Sequence, residues 1–468
     1  MLAVNIKLNH SFQMLSLICG LPAMVFSSNR SQSNKQELTN SRPNIIFIFA
    51  DDWGFGDLGV HGHTALKTPN LDKFASEGAD FYQFNVCSPV SSSSRTALMT
   101  GHFPSRHLVH EHFASHDLNV ARGMPDWLDP NITLLPRLLK ENGYRTAHFG
   151  KWHLSNDGIE GAPLPVDYGY NETRVFNGPG PQVERGPKEY PSAPFTENCV
   201  NYTIDFIKKI NGAPFYINLW IHETHQKIEP SPEMRIPYKD IAEPEQSYYS
   251  VATSADKQLG RLFQFLKDKG FDKNTLIIFS SDNGPESNNN PKTWNSVGET
   301  AGLKGRKRSI YSGGVKVPFI VRFPGKVPSG IVNKNSVIAG IDILPTFCEI
   351  AGVKLPLGYK PDGESVVNVM VGKPFNRTKP IFQFWQGNES GANWPRLSVI
   401  DGKWKLLMNY DRSKIELYDY LNDWGEENNI ADKLPKEVDR LSKMCIDYYH
   451  SLPLKSKPTE HKVLNTNE

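Results

Sequence analysis

Residues 43–50 read PNIIFIFA and run directly into Asp51-Asp52-Trp53-Gly54. A short unbroken run of β-branched and aromatic side chains specifies a strand covered on both faces. An alternating strand would leave one face polar, and a helix needs more length. The pattern recurs. Residues 145–149 lead into Gly150-Lys151-Trp152-His153, residues 215–221 into His222-Glu223-Thr224-His225, and residues 275–279 into Ser281-Asp282-Asn283-Gly284. Residues 79–85, 317–323 and 336–339 read as further strands. Between them lie helical patterns at 68–78, 134–142, about 203–209, 248–269 and 342–351. The 248–269 segment sets Val251, Ala255, Leu259, Leu262, Phe263 and Leu266 on one face. Strands needing cover on both sides, alternating with amphipathic helices, predict an α/β fold with a large doubly wound mixed sheet flanked by helices. Ligands in such folds bind beyond the carboxyl ends of the strands.

After about Pro361 the spacing changes. Short strands at 380–385, 397–400, 404–408 and 416–419, then a helix at 436–449, predict a smaller C-terminal domain of antiparallel sheet plus helix. The expected division is 1–27 as a signal peptide, 43–365 as the α/β domain and 370–455 as the C-terminal unit, with a polar tail from Lys455. At the N-terminus, Lys7 and His10 precede an apolar segment, 12–26, broken by Gly20 and Pro22 and followed by polar residues to 41. That is the grammar of an export signal, too short and interrupted for a membrane span. The expected location is periplasmic or extracellular, without stable membrane insertion. A net charge of +2 and pI of about 8.1 point to no nucleic acid partner. Beyond the signal, Cys87, Cys199, Cys348 and Cys445 lack metal-type spacing and show no disulfide framework.

The strand ends carry the chemistry. Asp51-Asp52 and Asp282-Asn283 each follow a buried strand, and parallel strands would open both pairs onto one edge. Three carboxylates and an amide oxygen suit a hard cation, Ca²⁺ or Mg²⁺, rather than zinc. Lys151 and His153 offer a positive charge and a proton-transfer group in one loop. The segment 222–225 reads as a polar strand end or a metal site, without the helical H-E-x-x-H spacing of zinc proteases. The run Lys304-Gly305-Arg306-Lys307-Arg308 reads as a solvated loop or an anion site. Residues 86–101, VCSPVSSSSRTALMTG, place four serines before Arg95. Such a run caps a helix N-terminus, with the segment after Arg95 as its body. A hydroxyl there would sit among free N–H groups and a guanidinium, a setting suited to an anion.

Taken together, these segments resemble the type I, formylglycine-dependent sulfatases of the alkaline-phosphatase-like superfamily, in the family's order and over roughly residues 43–450. The landmarks are the Asp-Asp pair, the Ser-x-x-Ser-Arg stretch, Gly-Lys-Trp-His, His-x-x-His, Ser-Asp-Asn-Gly, and Gly-x-Lys ahead of Tyr-x-Gly-Gly. Matching backwards from Ser94-Arg95 places the modified position at Ser91; Cys87-Ser88-Pro89 begins alike but lacks the following Ser-Arg. The resemblance implies that residue 91 is oxidised to formylglycine, and that Asp51, Asp52, Asp282, Asn283 and residue 91 bind Ca²⁺. Arg95 and Lys151 would support the aldehyde hydrate. Lys151, His225 and Lys307 would grip the sulfate, with His225 as general acid and His153 acting on the covalent intermediate. A Ser at position 91 implies a serine-type formylglycine-generating maturase as partner, since the aerobic type accepts Cys. Three departures stand out: Ser93 replaces the usual Pro or Ala, Ser312 stands where many members have Glu, and Gln226-Lys227 follows His225 where Pro is frequent.

Similarity to bacterial polysaccharide sulfatases implies a sulfated polysaccharide or oligosaccharide as substrate. The alternatives are small aryl sulfates, phosphoryl transfer by unmodified Ser91 in a zinc-dependent relative, and a non-catalytic binder of sulfated glycans. Residues 110–127, with His112, His116, Arg122 and Asp126, and the aromatic stretch 382–394 read either as walls of a sugar cleft or as loop and core packing.

Overall fold

A computed structural model describes residues 42–191, 193–287, 295–386 and 395–453. The signal segment 1–27, Trp394 and the tail from Lys455 lie outside these residues. Strand β1 (Asn44–Ala50) forms on the first apolar run, and all seven of its residues are buried. Its side chains alternate between two cores. Ile45, Phe47 and Phe49 enter one, and Ile46, Ile48 and Ala50 the other. Helices Ser91–Thr100, Leu135–Glu141 and Ile343–Ala351 pack on the first side. Helices Pro69–Ser76, Phe195–Lys208 and Glu245–Asp268 pack on the second. Phe47 meets Phe347 edge-on at 6.0 Å, and truncating such a core phenylalanine to alanine costs about 3–5 kcal/mol.

Taken in chain order, the remaining strands are β2 (Ala79–Phe81), β3 (Phe84–Asn85), β4 (Arg145–Lys151), β5 (Glu172–Phe176), β6 (Phe215–Trp220), β7 (Thr275–Ser281), β8 (Phe319–Arg322), β9 (Ile331–Asn333) and β10 (Ile338–Ala339). Eight strands form one mixed sheet in the order β5-β4-β6-β1-β7-β8-β2-β9. The central strands β4, β6, β1 and β7 are mutually parallel, so their carboxyl ends share one edge. β8 runs antiparallel to β7 and β2.

Three expectations needed correction. Residues 79–85 make two short strands with a turn at Tyr82-Gln83, and β3 leaves the main sheet to pair with β10. The helix expected from about 203 begins at Phe195. Its first turn is fixed from outside, where Thr196 donates from its N–H (2.9 Å) and its hydroxyl to the Glu223 carboxylate. The serine run belongs to the body of its helix, which starts at Ser91 itself rather than after Arg95, and every residue of that helix is buried.

The C-terminal sheet is an antiparallel meander of β11 (Ile381–Phe384), β12 (Leu397–Asp401), β13 (Trp404–Met408) and β14 (Glu416–Asp419). Helix Pro435–Ser451 packs on it through Leu441 and Cys445. The same core takes in Cys87, Ala97, Phe103 and Ile341, so the meander is packed onto the back of the Ser91 helix. Among the described residues, no helix is long and apolar enough to cross a membrane.

Candidate active site

Four parallel strand ends deliver the polar side chains to one buried cage. Asp51 and Asp52 leave β1, Lys151 ends β4, His222 follows β6, and Asp282 and Asn283 follow β7. Tight backbone turns aim them: Asp52, His153 and Thr224 all carry left-handed φ values, of 58°, 51° and 81°. Non-glycine residues hold that conformation only where surrounding contacts fix it, commonly at functional sites. For Thr224 one such contact is its hydroxyl, which donates to the Asp51 carbonyl at 2.7 Å.

Ser91, the first helical residue, lies at the centre. Its Oγ donates to Asp51 Oδ1 at 3.3 Å and accepts from Lys151 Nζ at 3.2 Å. The other serines fasten the helix. Phe113 N–H donates to Ser92 Oγ (2.9 Å), Ser93 Oγ donates to the Glu111 carbonyl (3.2 Å) and Ser94 Oγ to the Ser88 carbonyl (2.8 Å). Ser93 thereby has a definite polar partner in this chain. Arg95, one turn on, is fully buried. It bonds Asp282 Oδ2 at 2.7 Å and lies over the Trp220 and Phe49 rings at 4.7 and 5.3 Å. The aromatic faces compensate a guanidinium whose Nε and Nη1 find no hydrogen-bond partner.

Lys151 Nζ sits 2.8 Å from both oxygens of Asp51, and His222 Nδ1 lies 2.6 Å from Oδ2. Burial pushes the Asp51 carboxyl up, but Lys151, His225 and His222 outweigh it and hold the group well below the usual range. Asp52 is the reverse case: burial, assisted by the neighbouring carboxylates, raises it to about 7 against the pull of Lys307. Lys307 Nζ bridges Asp52 Oδ2 (2.7 Å) and Glu286 Oε2 (3.3 Å). Burial alone would depress this ammonium, and those two carboxylates raise it. Asn283 donates its amide to Asp52 Oδ1 at 2.7 Å. His225, partly exposed, turns Nε2 toward Asp52 Oδ2 at 3.8 Å and Nδ1 toward the Gln226 carbonyl at 3.1 Å. Burial, reinforced by Lys151 and Lys307, keeps His225 well below the usual imidazole value despite Asp51. His153 is held neutral by burial and by Lys151; its Nε2 meets the Phe113 carbonyl at 3.0 Å, and its ring lies 6.3 Å from that of His112.

The carboxylates of Asp51, Asp52 and Asp282 offer oxygens all within 4.8 Å of one another. The buried Asn283 Oδ1 beside them lacks a hydrogen-bond partner. A hard, oxygen-seeking dication fits this donor set. A second grouping joins Asp51, His222 and His225. There, however, His222 already spends Nδ1 on the Asp51 carboxylate.

Sequence comparison decides the family. A model described as Sulfatase matches residues 43–353. The chain belongs to the sulfatase family. It is accordingly a sulfuric ester hydrolase, and a second family model, N-sulphoglucosamine sulphohydrolase, C-terminal, matches residues 304–446. The N-acetylgalactosamine-6-sulfatase of Canis lupus familiaris is 30% identical over 446 residues, covering 88% of this chain and 79% of the relative. The N-acetylgalactosamine-6-O-sulfatase of Bacteroides thetaiotaomicron is 24% identical over 524 residues, covering 92% and 98%. Among solved structures, Ps i-CgsB in complex with k-i-k-neocarrahexaose aligns with a TM-score of 0.74 at 24% identity, over 88% of this chain and 94% of that one.

Within this sulfatase, the residues singled out from sequence converge: Ser91, Arg95, Lys151, His225 and Lys307 gather with Asp51, Asp52, Asp282 and Asn283. His153 borders them. Two participants had been given no role. His222 was within reach, since it lies two residues beyond β6 and opens the 222–225 segment. Glu286 lies four residues past Asp282, outside any strand-end signal. The basic run 304–308 is no solvated loop: Arg306 donates to the carbonyls of Glu286, Ser296 and Gly298, and Arg308 pairs with Glu286. Of the segments read as cleft walls or core packing, Trp385 is buried core, while Phe382 is only half-buried and stacks on Tyr448 at 4.4 Å. His116 and Asp126 pair with each other at 2.7 Å.

Proposed function

We propose that this sulfatase hydrolyses a sulfate ester on a sulfated polysaccharide or oligosaccharide, using formylglycine derived from Ser91 and Ca²⁺. The observation that carries the reading is the setting of Ser91 Oγ, poised between the Asp51 carboxylate and the Lys151 ammonium in a water-poor cage. Asp51, Asp52, Asp282, Asn283 and residue 91 would hold the ion, which when bound would polarise a sulfate oxygen and offset its charge. Oxidised to an aldehyde and hydrated, residue 91 supplies a nucleophilic hydroxyl together with a second one that an ordinary serine lacks.

The remaining chemistry belongs to the chain's own groups. A sulfate ester is anionic and repels nucleophiles, so Lys151, Lys307 and Arg95 lower the cost of bringing it in. An anion seated beside His225 draws that imidazole's proton affinity upward, which equips Nε2 to protonate the departing alkoxide. His153, held neutral, is the base that takes up a proton when sulfate leaves. His222 keeps the Asp51 carboxylate oriented. Catalysis is assigned to residues 43–365, with 370–455 as the supporting unit. The N-terminal segment directs export to the periplasm or beyond, where a serine-type maturase has already acted on the unfolded chain.

The glycan assignment is supported by two relatives, named N-acetylgalactosamine-6-sulfatase and N-acetylgalactosamine-6-O-sulfatase. The test is mass spectrometry of the peptide bearing residue 91, from protein made in its native host, with a carbonyl-trapping reagent. Loss of two hydrogens at residue 91, with chelator-sensitive release of sulfate from a sulfated glycan, is the expected result. An unmodified serine in active protein would refute it. Turnover of phosphate monoesters by that unmodified protein would instead favour phosphoryl transfer, with the Asp51, His222 and His225 grouping as its metal site.

A further inference from the structure

The loop that presents Lys307 is fastened from two sides. On the catalytic side, Lys307 N–H donates to the Pro285 carbonyl (3.0 Å), Gly313 N–H to the Lys304 carbonyl (2.7 Å) and Gly284 N–H to the Gly314 carbonyl (2.9 Å). This last contact ties the loop to the residue after Asn283. It is so close that a Cβ on Gly284 would lie 1.8 Å from the Gly313 carbonyl oxygen. On the other side stands Glu426, which follows β14 and holds a left-handed φ of 53°. Its carboxylate accepts from Ser312 N–H (2.8 Å) and Ser312 Oγ (2.9 Å). Lys405 Nζ, from β13, completes the group at 2.6 Å from Glu426 and 3.3 Å from Ser312 Oγ. The Glu426 and Lys405 side chains are both fully buried.

Nearby, Lys316 is buried with its ammonium 4.2 Å from the Tyr420 ring and 4.4 Å from that of Trp424. Burial pushes both lysines down, Lys316 to about 7, and Glu426 is the carboxylate that pulls each back up. A carboxylate so enclosed is costly unless it is paired and bonded, and Glu426 is paired to Lys405 and bonded twice by the turn at Ser312.

We infer that Glu426 is a positioning residue of the active site, reaching from the C-terminal sheet to clamp the Ser312 turn and so to set Lys307 between Asp52 and Glu286. The C-terminal unit thereby completes the catalytic geometry without touching substrate. The inference rests on the reading of Lys307 as a sulfate-binding group, but its structural content can be tested apart from turnover.

The experiment compares full-length wild type with Glu426→Ala, Glu426→Gln and the swap Glu426→Ala/Ser312→Glu. In the swap, a carboxylate returns from the other side of the same contact into the space that Glu426 vacates. Lysine acylation by a small amine reagent, read by mass spectrometry, reports Lys307 and Lys151 separately. Glu426→Ala is expected to speed acylation of Lys307 by about tenfold or more, the range for losing a charged buried hydrogen bond, while Lys151 stays protected. The swap is expected to restore protection of Lys307. On a sulfate ester, kcat/KM falls in parallel, chiefly through KM, and recovers in the swap. Lys307 remaining as protected in the Glu426 variants as in wild type would overturn the inference. So would a swap protein that melts like wild type yet leaves Lys307 reactive. If Glu426→Ala does not fold, Glu426→Gln, which keeps the shape and removes the charge, decides the same comparison. If wild type itself turns over no sulfate ester, the functional reading fails, while the labelling still decides the positioning role.

Discussion

Replacing Lys151 by Met separates the two demands that the cage makes on Asp51. The ammonium lies 2.8 Å from each oxygen of that carboxylate, and both groups are essentially inaccessible to water. At an effective dielectric of about 20, the Coulomb attraction is about 6 kcal/mol. Breaking a buried pair by removing one partner costs about 3–5 kcal/mol net. Chelator-treated Lys151→Met should therefore unfold at clearly lower urea concentration than wild type. Calcium should reverse the order of effects. The ammonium repels a dication held by the same carboxylate, and at about 4 Å in that dielectric the repulsion is about 8 kcal/mol. If relaxation leaves only a sixth of it, Ca²⁺ binds the variant about tenfold more tightly. Titration calorimetry should show that tightening, and the calcium-induced rise in melting temperature should exceed that of wild type. Turnover should nonetheless fall by about 10²–10³ if, as proposed, Lys151 also grips the sulfate. Equal calcium affinity in variant and wild type would refute the argument, since Lys151 and the ion would then not share Asp51.

Four further outcomes follow from single contacts. His222→Ala removes the 2.6 Å bond to Asp51 and should lower kcat by about 10–100-fold, measured by sulfate release, with little change in melting temperature. Gly150→Ala should fail to fold or lose at least about 3 kcal/mol in urea denaturation, because its φ is +118° and a Cβ would lie 1.9 Å from the Trp220 carbonyl oxygen. Cys87→Ala should leave turnover, and the aldehyde proposed at residue 91, unchanged by activity assay and mass spectrometry, since that thiol is buried in the C-terminal core with its pKa pushed up to about 12. Lys316→Met concerns pH. Burial lowers this amine from 10.5 to about 7, so between those values the unfolded chain binds more protons and stability rises with pH. Below about 7 that cost is fully present. Urea denaturation at pH 7 and pH 9.5 should show a smaller gain with pH in the variant than in wild type.

What the sequence made legible follows physical range. Continuous apolar runs are local signals, so β1, β4, β6 and β7 could be read directly, and their parallel pairing brought Asp51, Asp52, Lys151, Asp282 and Asn283 to one edge. Ser91, Arg95 and Lys307 were reached by resemblance rather than by pattern: a serine run looks like a surface cap, and a basic run looks solvated. Only the tertiary structure shows Arg95 sandwiched against Trp220 and Lys307 enclosed by Asp52 and Glu286. The start of helix Phe195–Lys208 was illegible for a related reason, because its first turn is fixed by Glu223 from another strand end.

Ser312 makes the same point at the level of the whole chain. Read locally, it is a small polar residue at a position where the resemblance implies Glu in many members. In the folded protein it receives a carboxylate from Glu426, more than a hundred positions away, paired to Lys405 of a different strand. In this chain the charge beside the turn that presents Lys307 comes from Glu426. A departure at one position of an active-site loop is therefore best judged by asking which distant side chain now supplies the missing group, and the restoring swap puts that question to the protein directly.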